Sequence, residues 1–389
     1  MAINTSRREF LSAGLMLPVA GAASKINFLD SGDKLTTAQP RTPVKLTQRT
    51  LGQTGLKVTS VGFGCMITSD PSVIERAADI GINYFDTARG YQHGNNERMV
   101  GAALGAKRKN LILSTKSPTD NKEGLLKDLD TSLAELKTDY VDIWYLHAKD
   151  TPAAIHDDMI EAQQIAKQQG KIRFAGMSTH ALPKMTQWTI DKMAFDVVLT
   201  VYNFTMDQKM DEAIAAVAKT GTGVVAMKIM AGGTRAHRPG EPVDPRTQRE
   251  GAMLAALKWV LKQPHIGTTI PSMTDMDQLD ENLRAMSESF STADEKILAG
   301  RLEQIKPLYC RFCGECDGAC QKGLQVADTL RILTYADGYG QFALARERFN
   351  ELPSRHAKVR CGDCTECTVQ CPHGVRVSER MSRAQELFA

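Results

Sequence analysis

The chain has 389 residues, enough for two or three domains or for one long barrel with an appendage. Charged residues make up 24 % and the hydrophobic set 42 %, proportions that exclude wholesale disorder, collagen and coiled coil. A net charge of +3 is too weak a field to argue for nucleic acid, and no apolar run reaches the roughly 18 residues of a membrane-spanning helix.

The first residues read as an address. Ser6-Arg7-Arg8-Glu9-Phe10-Leu11 is a twin-arginine pair followed by apolar residues. Leu11 to Ala23 is weakly hydrophobic and rich in Ala and Gly, and Ala20-Gly21-Ala22 supplies an A-x-A cleavage site. Pro18 and the glycines argue against an amphipathic first helix. The segment resembles a bacterial twin-arginine (Tat) signal. The resemblance implies a signal peptide over 1–22, recognition by the Tat export machinery, transport of the folded protein and a periplasmic location. Residues 23–44 are polar and aperiodic, and read as a linker.

Residues 45–290 alternate strand and helix. Leu46–Leu51 and Leu56–Val58 flank Gly52 and Gly55, the pattern of a small hairpin. Eight strand candidates follow: Val58–Gly64, Asn83–Asp86, Asn110–Lys116, Val141–His147, Ile172–Ser178, Val197–Tyr202, Gly223–Lys228 and Ile266–Pro271. Between two of them Ile155, Met159, Ala162 and Ala166 keep one apolar helical face, stopped by Gly170. Eight such units predict an α/β fold, a closed (β/α)₈ TIM barrel. The competitor is an open doubly wound sheet, but Gly62-Phe63-Gly64-Cys65-Met66 lacks the third glycine of a dinucleotide-binding loop.

Chemistry in such barrels sits where the strands end. Asp86, Lys116, His147 and Ser178 close four successive strands, 30, 31 and 31 residues apart, which puts them side by side on one rim. Tyr91 lies in the loop above. Each has a bland explanation: a structural ion pair, a core histidine, a loop aromatic. Their convergence on adjacent strand ends does not. Here Phe85-Asp86-Thr87-Ala88 with Tyr91, Asn96-Glu97, Ser114-Thr115-Lys116 and Leu146-His147 match the motifs of the aldo-keto reductases in order. From Lys45 to Ser287 the chain resembles that family.

The resemblance implies carbonyl–alcohol interconversion by hydride transfer, with Tyr91, Asp86, Lys116 and His147 as the catalytic tetrad. A phenol with a pKa near 10 is a weak acid unless a cation lowers it. Lys116 is the expected cation, Asp86 its anchor, and His147 the group that orients the carbonyl. The implied cofactor contacts are Ser178, Met227, Lys228, Ser272 and Gln278, with Glu281 and Asn282 at the adenine. Some depart from the family's pattern: Thr179 replaces an Asn, Leu199 a Gln and Met227 an aromatic. Ser272 and Gln278 stand where a Lys and an Arg often hold a 2′-phosphate. NAD(P) binding is therefore expected, with no cations to favour NADP. No flavin fingerprint is present, although barrels can bind flavin without one.

Residues 291–389 carry a second chemistry. Cys310, Cys313, Cys316 and Cys320 form C-x₂-C-x₂-C-x₃-C, and Cys361, Cys364, Cys367 and Cys371 repeat it, followed by Pro372. This resembles the bacterial ferredoxin run, in which the fourth cysteine of each motif serves the other cluster. Disulfides would crowd one turn, and structural zinc usually draws paired knuckles from separate segments. The resemblance implies two 4Fe–4S clusters, one on Cys310, Cys313, Cys316 and Cys371, the other on Cys361, Cys364, Cys367 and Cys320. The 40 intervening residues, helical in pattern over Ala327–Tyr335 and Phe342–Phe349, suggest a small, mainly helical ferredoxin-like two-cluster domain. Cys65, the ninth cysteine, reads as a small buried hydrophobe.

Together these features predict an exported oxidoreductase acting on a small-molecule carbonyl or alcohol, with an external electron-transfer protein as partner. Hydride moves two electrons and a cluster one, and a soluble nicotinamide pool is not expected outside the cytoplasmic membrane, so the barrel cofactor is expected to be tightly held, loaded before export and turned over through the clusters. The alternative is a non-catalytic electron carrier or redox sensor that keeps the barrel as a scaffold.

Overall fold

A computed structural model describes residues 45–232 and 251–389. The twin-arginine segment, the linker and most of the loop that follows Gly232 lie outside them.

Strands β1 (Gln48–Thr50) and β2 (Lys57–Thr59) pair antiparallel, with a tight turn over Gly52–Thr54 and Gly55 at φ 74°. This hairpin takes the first half of the expected Val58–Gly64 strand. Only β3 (Phe63–Gly64) enters the main sheet, because the chain must turn from plugging the barrel floor to lining its wall. The plug is Leu51, fully buried, while the Gln53 amide donates to the Gly221 carbonyl at 2.7 Å.

The remaining elements alternate as the periodicity requires. They run α1 (Pro71–Ile80), β4 (Tyr84–Asp86), α2 (Asn95–Leu104), β5 (Ile112–Ser117), α3 (Lys122–Leu136), β6 (Val141–Leu146), α4 (Asp157–Gln168) and β7 (Ile172–Thr179). Then come α5 (Leu182–Lys192), β8 (Val197–Val201), α6 (Gln208–Lys219), β9 (Gly223–Met227), α7 (Ala252–Leu261), β10 (Ile266–Thr269) and α8 (Met276–Arg284). Helix boundaries follow local chemistry. Asp70 caps α1 by accepting the Ser72 amide at 2.8 Å with Pro71 next in line, and Asn121, Asp207 and Asp275 do the same for α3, α6 and α8.

All eight strands β3–β10 are parallel and neighbour one another in chain order. Parallel bridges Val61↔Thr269 and Gly64↔Ser272 join the two edges, closing the sheet into the expected barrel. Strand parity divides two cores. Tyr84, Ile112, Ile143, Tyr145, Val197, Leu199 and Val225 fill the interior, whereas Phe85, Leu113, Trp144 and Leu146 face the surrounding helices.

The C-terminal stretch adds α9 (Thr292–Ile305), α10 (Val326–Asp337), α11 (Phe342–Asn350), α12 (Arg355–Lys358) and α13 (Val377–Phe388). Its start at Ser291 is a capping box: the Ser291 amide donates to Asp294 at 2.7 Å and the Asp294 amide to the Ser291 hydroxyl at 3.3 Å. The described residues from 45 to 389 nevertheless form one compact unit rather than two separate bodies, because Val201 and Ala231 of the barrel belong to the same apolar cluster as Ile305, Phe312 and Leu330. Among the described residues no helix is long and apolar enough to cross a membrane.

The barrel seam demands a glycine. A Cβ at Gly64 would sit 2.5 Å from the Ile270 carbonyl oxygen, a backbone atom that can yield only by opening the closure. Gly64→Ala is expected to lower stability by about 1–3 kcal/mol, read as a reduced melting temperature in thermal denaturation; an unchanged melting temperature would show that the seam is loose.

Candidate functional site

The site grows from strand parity. On β4, Asp86 shares the inward parity of Tyr84; on β5, Lys116 shares that of Ile112 and Ser114. The β4–β5 register sets Asp86 beside Ser114, one inward step below Lys116. Both charges are therefore delivered to the top of the barrel interior, where each is 1 % exposed. A buried ammonium requires a partner, and Lys116 has three: the Asp86 carboxylate, the Thr87 carbonyl at 2.7 Å and the Tyr91 hydroxyl at 3.3 Å.

Tyr91 is held by its own loop. Its amide donates to the Ala88 carbonyl at 3.1 Å, and Gln92 and His93 follow in left-handed conformations. The Gln92 side chain ties the loop to the Thr68 carbonyl at 2.9 Å. The preceding segment is braced by the Asn96-Glu97 pair. Buried Glu97 accepts from Arg89 at 2.5 Å and from Thr115 at 2.6 Å, while Asn96 accepts from Thr87 at 2.6 Å and donates to the Cys65 carbonyl at 2.8 Å. His147, just past β6, meets the Tyr91 ring edge-on, centroids 5.9 Å apart. The four residues expected to converge do so.

Burial presses the Lys116 pKa down, but Asp86 and Tyr91 outweigh it and hold the ammonium above its usual value. Burial raises the Tyr91 phenol, and Lys116 only partly offsets this. The expectation that Lys116 would leave Tyr91 more acidic than a free phenol is thus corrected: desolvation wins. His147 is driven well below the ordinary histidine range by burial and then by Lys116, so the imidazole is neutral at pH 7.

Above the pair opens a cavity of about 430 Å³ lined by Asp86, Tyr91, Met227, Lys228, Ser272 and Gln278, among others. Four of the seven expected cofactor contacts are on its wall. Ser178, Glu281 and Asn282 are not. The Ser178 hydroxyl is committed inside the barrel, accepting the Ala148 amide at 2.8 Å and facing the Leu146 carbonyl at 3.5 Å. Leu199 is fully buried in the barrel interior. Asn282 is fully buried on α8, and neither its amide nitrogen nor its amide oxygen has a protein partner. Such an orphaned amide fits a ligand's polar ring edge, so a nicotinamide dinucleotide suits the cavity and α8 together. The cavity also contains Asp275, whose carboxylate accepts the Gln278 amide at 2.8 Å and its side chain at 2.6 Å. A 2′-phosphate would meet that negative charge.

The C-terminal module, not the barrel, supplies the roof. Gly338 and Tyr339 line the cavity. Tyr335 and Arg331 of α10 lie in electrostatic range of Tyr91 and His147 respectively. Burial would raise the Tyr335 phenol, but Lys228, Arg331 and Arg348 together bring it down to about 8. Nothing in the strand-end reading could find these residues. Their only sequence signal is the i, i+4 spacing that places Arg331 and Tyr335 on one helix face.

The eight motif cysteines fall into two crossed sets. Cys371 acts electrostatically on Cys310, Cys313 and Cys316, whereas Cys320, Cys364 and Cys367 act on Cys361. Contacts between the motifs sustain this crossing: Thr368 donates to the Ala319 carbonyl at 3.0 Å and Lys322 to the Arg360 carbonyl at 3.2 Å. All nine thiols are free. Among the described residues no three thiols lie within 4.8 Å of one another. Four thiolates on one zinc ion would stand only about 3.8 Å apart given Zn–S bonds of roughly 2.3 Å. Four soft thiol donors in each crossed set are a donor set that fits a four-iron cluster. Cys65 is fully buried, as expected, and its Sγ faces the Phe63 carbonyl at 4.0 Å.

A closed parallel barrel with this rim constellation defines a class, and the chain belongs to the Aldo/keto reductase family, whose sequence profile matches residues 70–300. An oxidoreductase of Bacillus subtilis, YqkF, whose activity is uncharacterised, is 28 % identical over 66 % of this chain and 97 % of its own length. The L-galactose dehydrogenase of Arabidopsis thaliana is 28 % identical over 67 % of this chain and 94 % of its own. The holo form of an aldo-keto reductase from Bacillus halodurans superposes with a TM-score of 0.56 at 25 % identity, covering 66 % of this chain and 96 % of that one. These likenesses make the chain an oxidoreductase of carbonyl–alcohol type.

Proposed function

We propose that this protein is an exported oxidoreductase that interconverts a carbonyl and an alcohol in the barrel and is connected to an external electron-transfer protein by two 4Fe–4S clusters. The observation that carries the catalytic part is the contact of Lys116 with both Asp86 and Tyr91 beside the 430 Å³ cavity. A nicotinamide dinucleotide, when bound, supplies or accepts the hydride.

The chain's own groups handle the proton and the charge. Tyr91 donates its phenolic proton to the carbonyl oxygen during reduction and takes it back in the reverse direction. Burial keeps that phenol protonated at pH 7, so it stands ready as the acid. Lys116 stabilises the phenolate left behind, and Asp86 keeps Lys116 charged and aimed. Neutral His147 donates a hydrogen bond to the oxygen as it gains charge. Met227, Ser272 and Gln278 would hold the dinucleotide along the cavity, and Glu281 and Asn282 its adenine end. Asp275 and the absence of a cation at Ser272 and Gln278 favour NAD over NADP.

The crossed thiol sets would hold the two clusters, which supply one-electron transfer. Cys310 is buried against the barrel and Cys364 is exposed, so the second set faces a partner. The twin-arginine segment supports export after folding and cluster loading, and with it a periplasmic location. A tightly held barrel cofactor suits a compartment without a nicotinamide pool. Flavin has no supporting residue here. The scaffold reading draws on the committed Ser178 hydroxyl and the apolar Leu199, but it leaves the assembled tetrad, with its buried Asp86–Lys116 pair, unexplained.

Three experiments test this reading. Tyr91→Phe should lower carbonyl turnover by roughly 10²–10⁴ while dinucleotide binding persists; normal turnover would remove Tyr91 from the chemistry and favour the scaffold. Anaerobically purified protein should contain about eight iron and eight labile sulfide per chain, and stoichiometric zinc in their place would refute the cluster assignment. Replacing Arg7 and Arg8 by Lys should leave a folded protein retained in the cytoplasm on cell fractionation, whereas unchanged export would show that another route is used.

A further inference from the structure

The tetrad's two charges cancel each other; Lys228 has no such match. It follows β9 with φ at 55°, a left-handed conformation unfavourable for a side chain of its size. Its ammonium stands 5.0 Å from the ring centroid of Tyr335, 5.6 Å from that of Phe312 and 5.7 Å from that of Tyr339. The box desolvates the charge, and the one polar group it offers in return is the Tyr335 hydroxyl, a hydrogen-bond partner but not a carboxylate. Among the described residues no carboxylate lies within ion-pair distance of Lys228. Asp150 acts on it from further away, and that carboxylate is already engaged by the His180 amide at 2.6 Å, the His180 ring at 3.0 Å and the Thr179 hydroxyl at 3.1 Å.

A second cation reinforces the first. Arg331 shares a helix face with Tyr335 and acts on Lys228, Tyr335 and His147. Its partner Asp328, at 2.7 Å, is half-exposed. Lys228 lines the same cavity as Tyr91. The part of the cavity at Lys228 is therefore electropositive, and all three rings of the box and Arg331 come from the C-terminal module.

A desolvated cation lining a binding cavity is stabilised best by an oxyanion brought in with the ligand. We propose that Lys228, flanked by Tyr335 and Arg331, receives an oxyanion carried by the substrate, so that the substrates are carbonyl or alcohol compounds bearing a carboxylate or a phosphate. The acidity of Tyr335, brought near neutrality by the same cations, agrees with an excess of positive charge in this part of the cavity. The inference rests on the carbonyl–alcohol reading of the barrel and adds the class of compound it takes.

Equilibrium binding tests it without requiring turnover. Cluster-loaded protein is titrated calorimetrically with two matched pairs, succinate semialdehyde against butanal and glyceraldehyde phosphate against glyceraldehyde; the pair that discriminates identifies the oxyanion. In at least one pair the anionic member should bind roughly tenfold tighter or more, the yield of one charge-assisted contact. Lys228→Met and Arg331→Met should each reduce that ratio and leave the neutral member's affinity unchanged, while Lys228→Arg should preserve it. Equal affinity within both pairs, or no binding of any of the four, overturns the proposal. So does a Lys228→Met protein that keeps its preference, or one that loses dinucleotide affinity instead, which would assign Lys228 to the cofactor's pyrophosphate. An anion preference that persists without any turnover would leave this site standing and sink the enzyme reading alone.

Discussion

The reactive end of this molecule depends on the close seating of one helical segment, residues 326–350, on the open mouth of the barrel. The approach is tight enough to require glycine on both sides. A Cβ on Gly338 would stand 2.7 Å from the Gly232 carbonyl oxygen, and one on Gly232 would stand 2.8 Å from the Tyr309 ring. Polar contacts fasten the segment at its edges. Asp337 accepts from Arg380 and Arg383, each at 2.8 Å, and Asn203 of the barrel donates to the Tyr309 hydroxyl at 3.2 Å. Over the Tyr91 loop, His93 faces Glu347 at 3.4 Å, and Arg348 packs against Gly90. A barrel that in isolation would present Tyr91 to solvent is thereby roofed by Tyr335, Gly338 and Tyr339.

The same segment lies between the two cysteine motifs in sequence. A crossed arrangement, with Cys371 joining the first set and Cys320 the second, pins both ends of it near one another. Whatever occupies the thiol sets therefore bears on the geometry of the catalytic mouth. Phe312 makes the connection physical. It lies two residues past Cys310, donates its amide to the Cys310 sulfur at 3.4 Å, and sets its ring 5.7 Å from that of His180, at a tilt, and 5.6 Å from the Lys228 ammonium. The first thiol set and the cavity residue Lys228 thus share one wall.

Much of this was legible in the chain. The strand-to-strand spacing of Asp86, Lys116 and His147 located the rim, because one βα repeat advances the chain by one strand without changing height. The cysteine spacing located the second module, because four thiols in eleven residues have few uses. The first strand was misplaced because an apolar run does not say which of two sheets will claim it: Lys57–Thr59 went to the hairpin and Phe63–Gly64 to the barrel. The acidity of Tyr91 was misjudged because a neighbouring cation is visible in sequence and burial is not. The Lys228 box was invisible. Its rings arrive from a part of the chain far away in sequence, and no local periodicity encodes where α10 docks.

The central claim is that the C-terminal module, held by the proposed clusters, completes the barrel's site. Hydrogen–deuterium exchange read by mass spectrometry tests it most directly, comparing anaerobic cluster-loaded protein with the same protein stripped by a chelator. The account predicts that stripping speeds exchange both in residues 326–350 and in the Tyr91 loop over residues 88–94, while the barrel strands stay protected. Unchanged protection in both segments after complete loss of iron would contradict it.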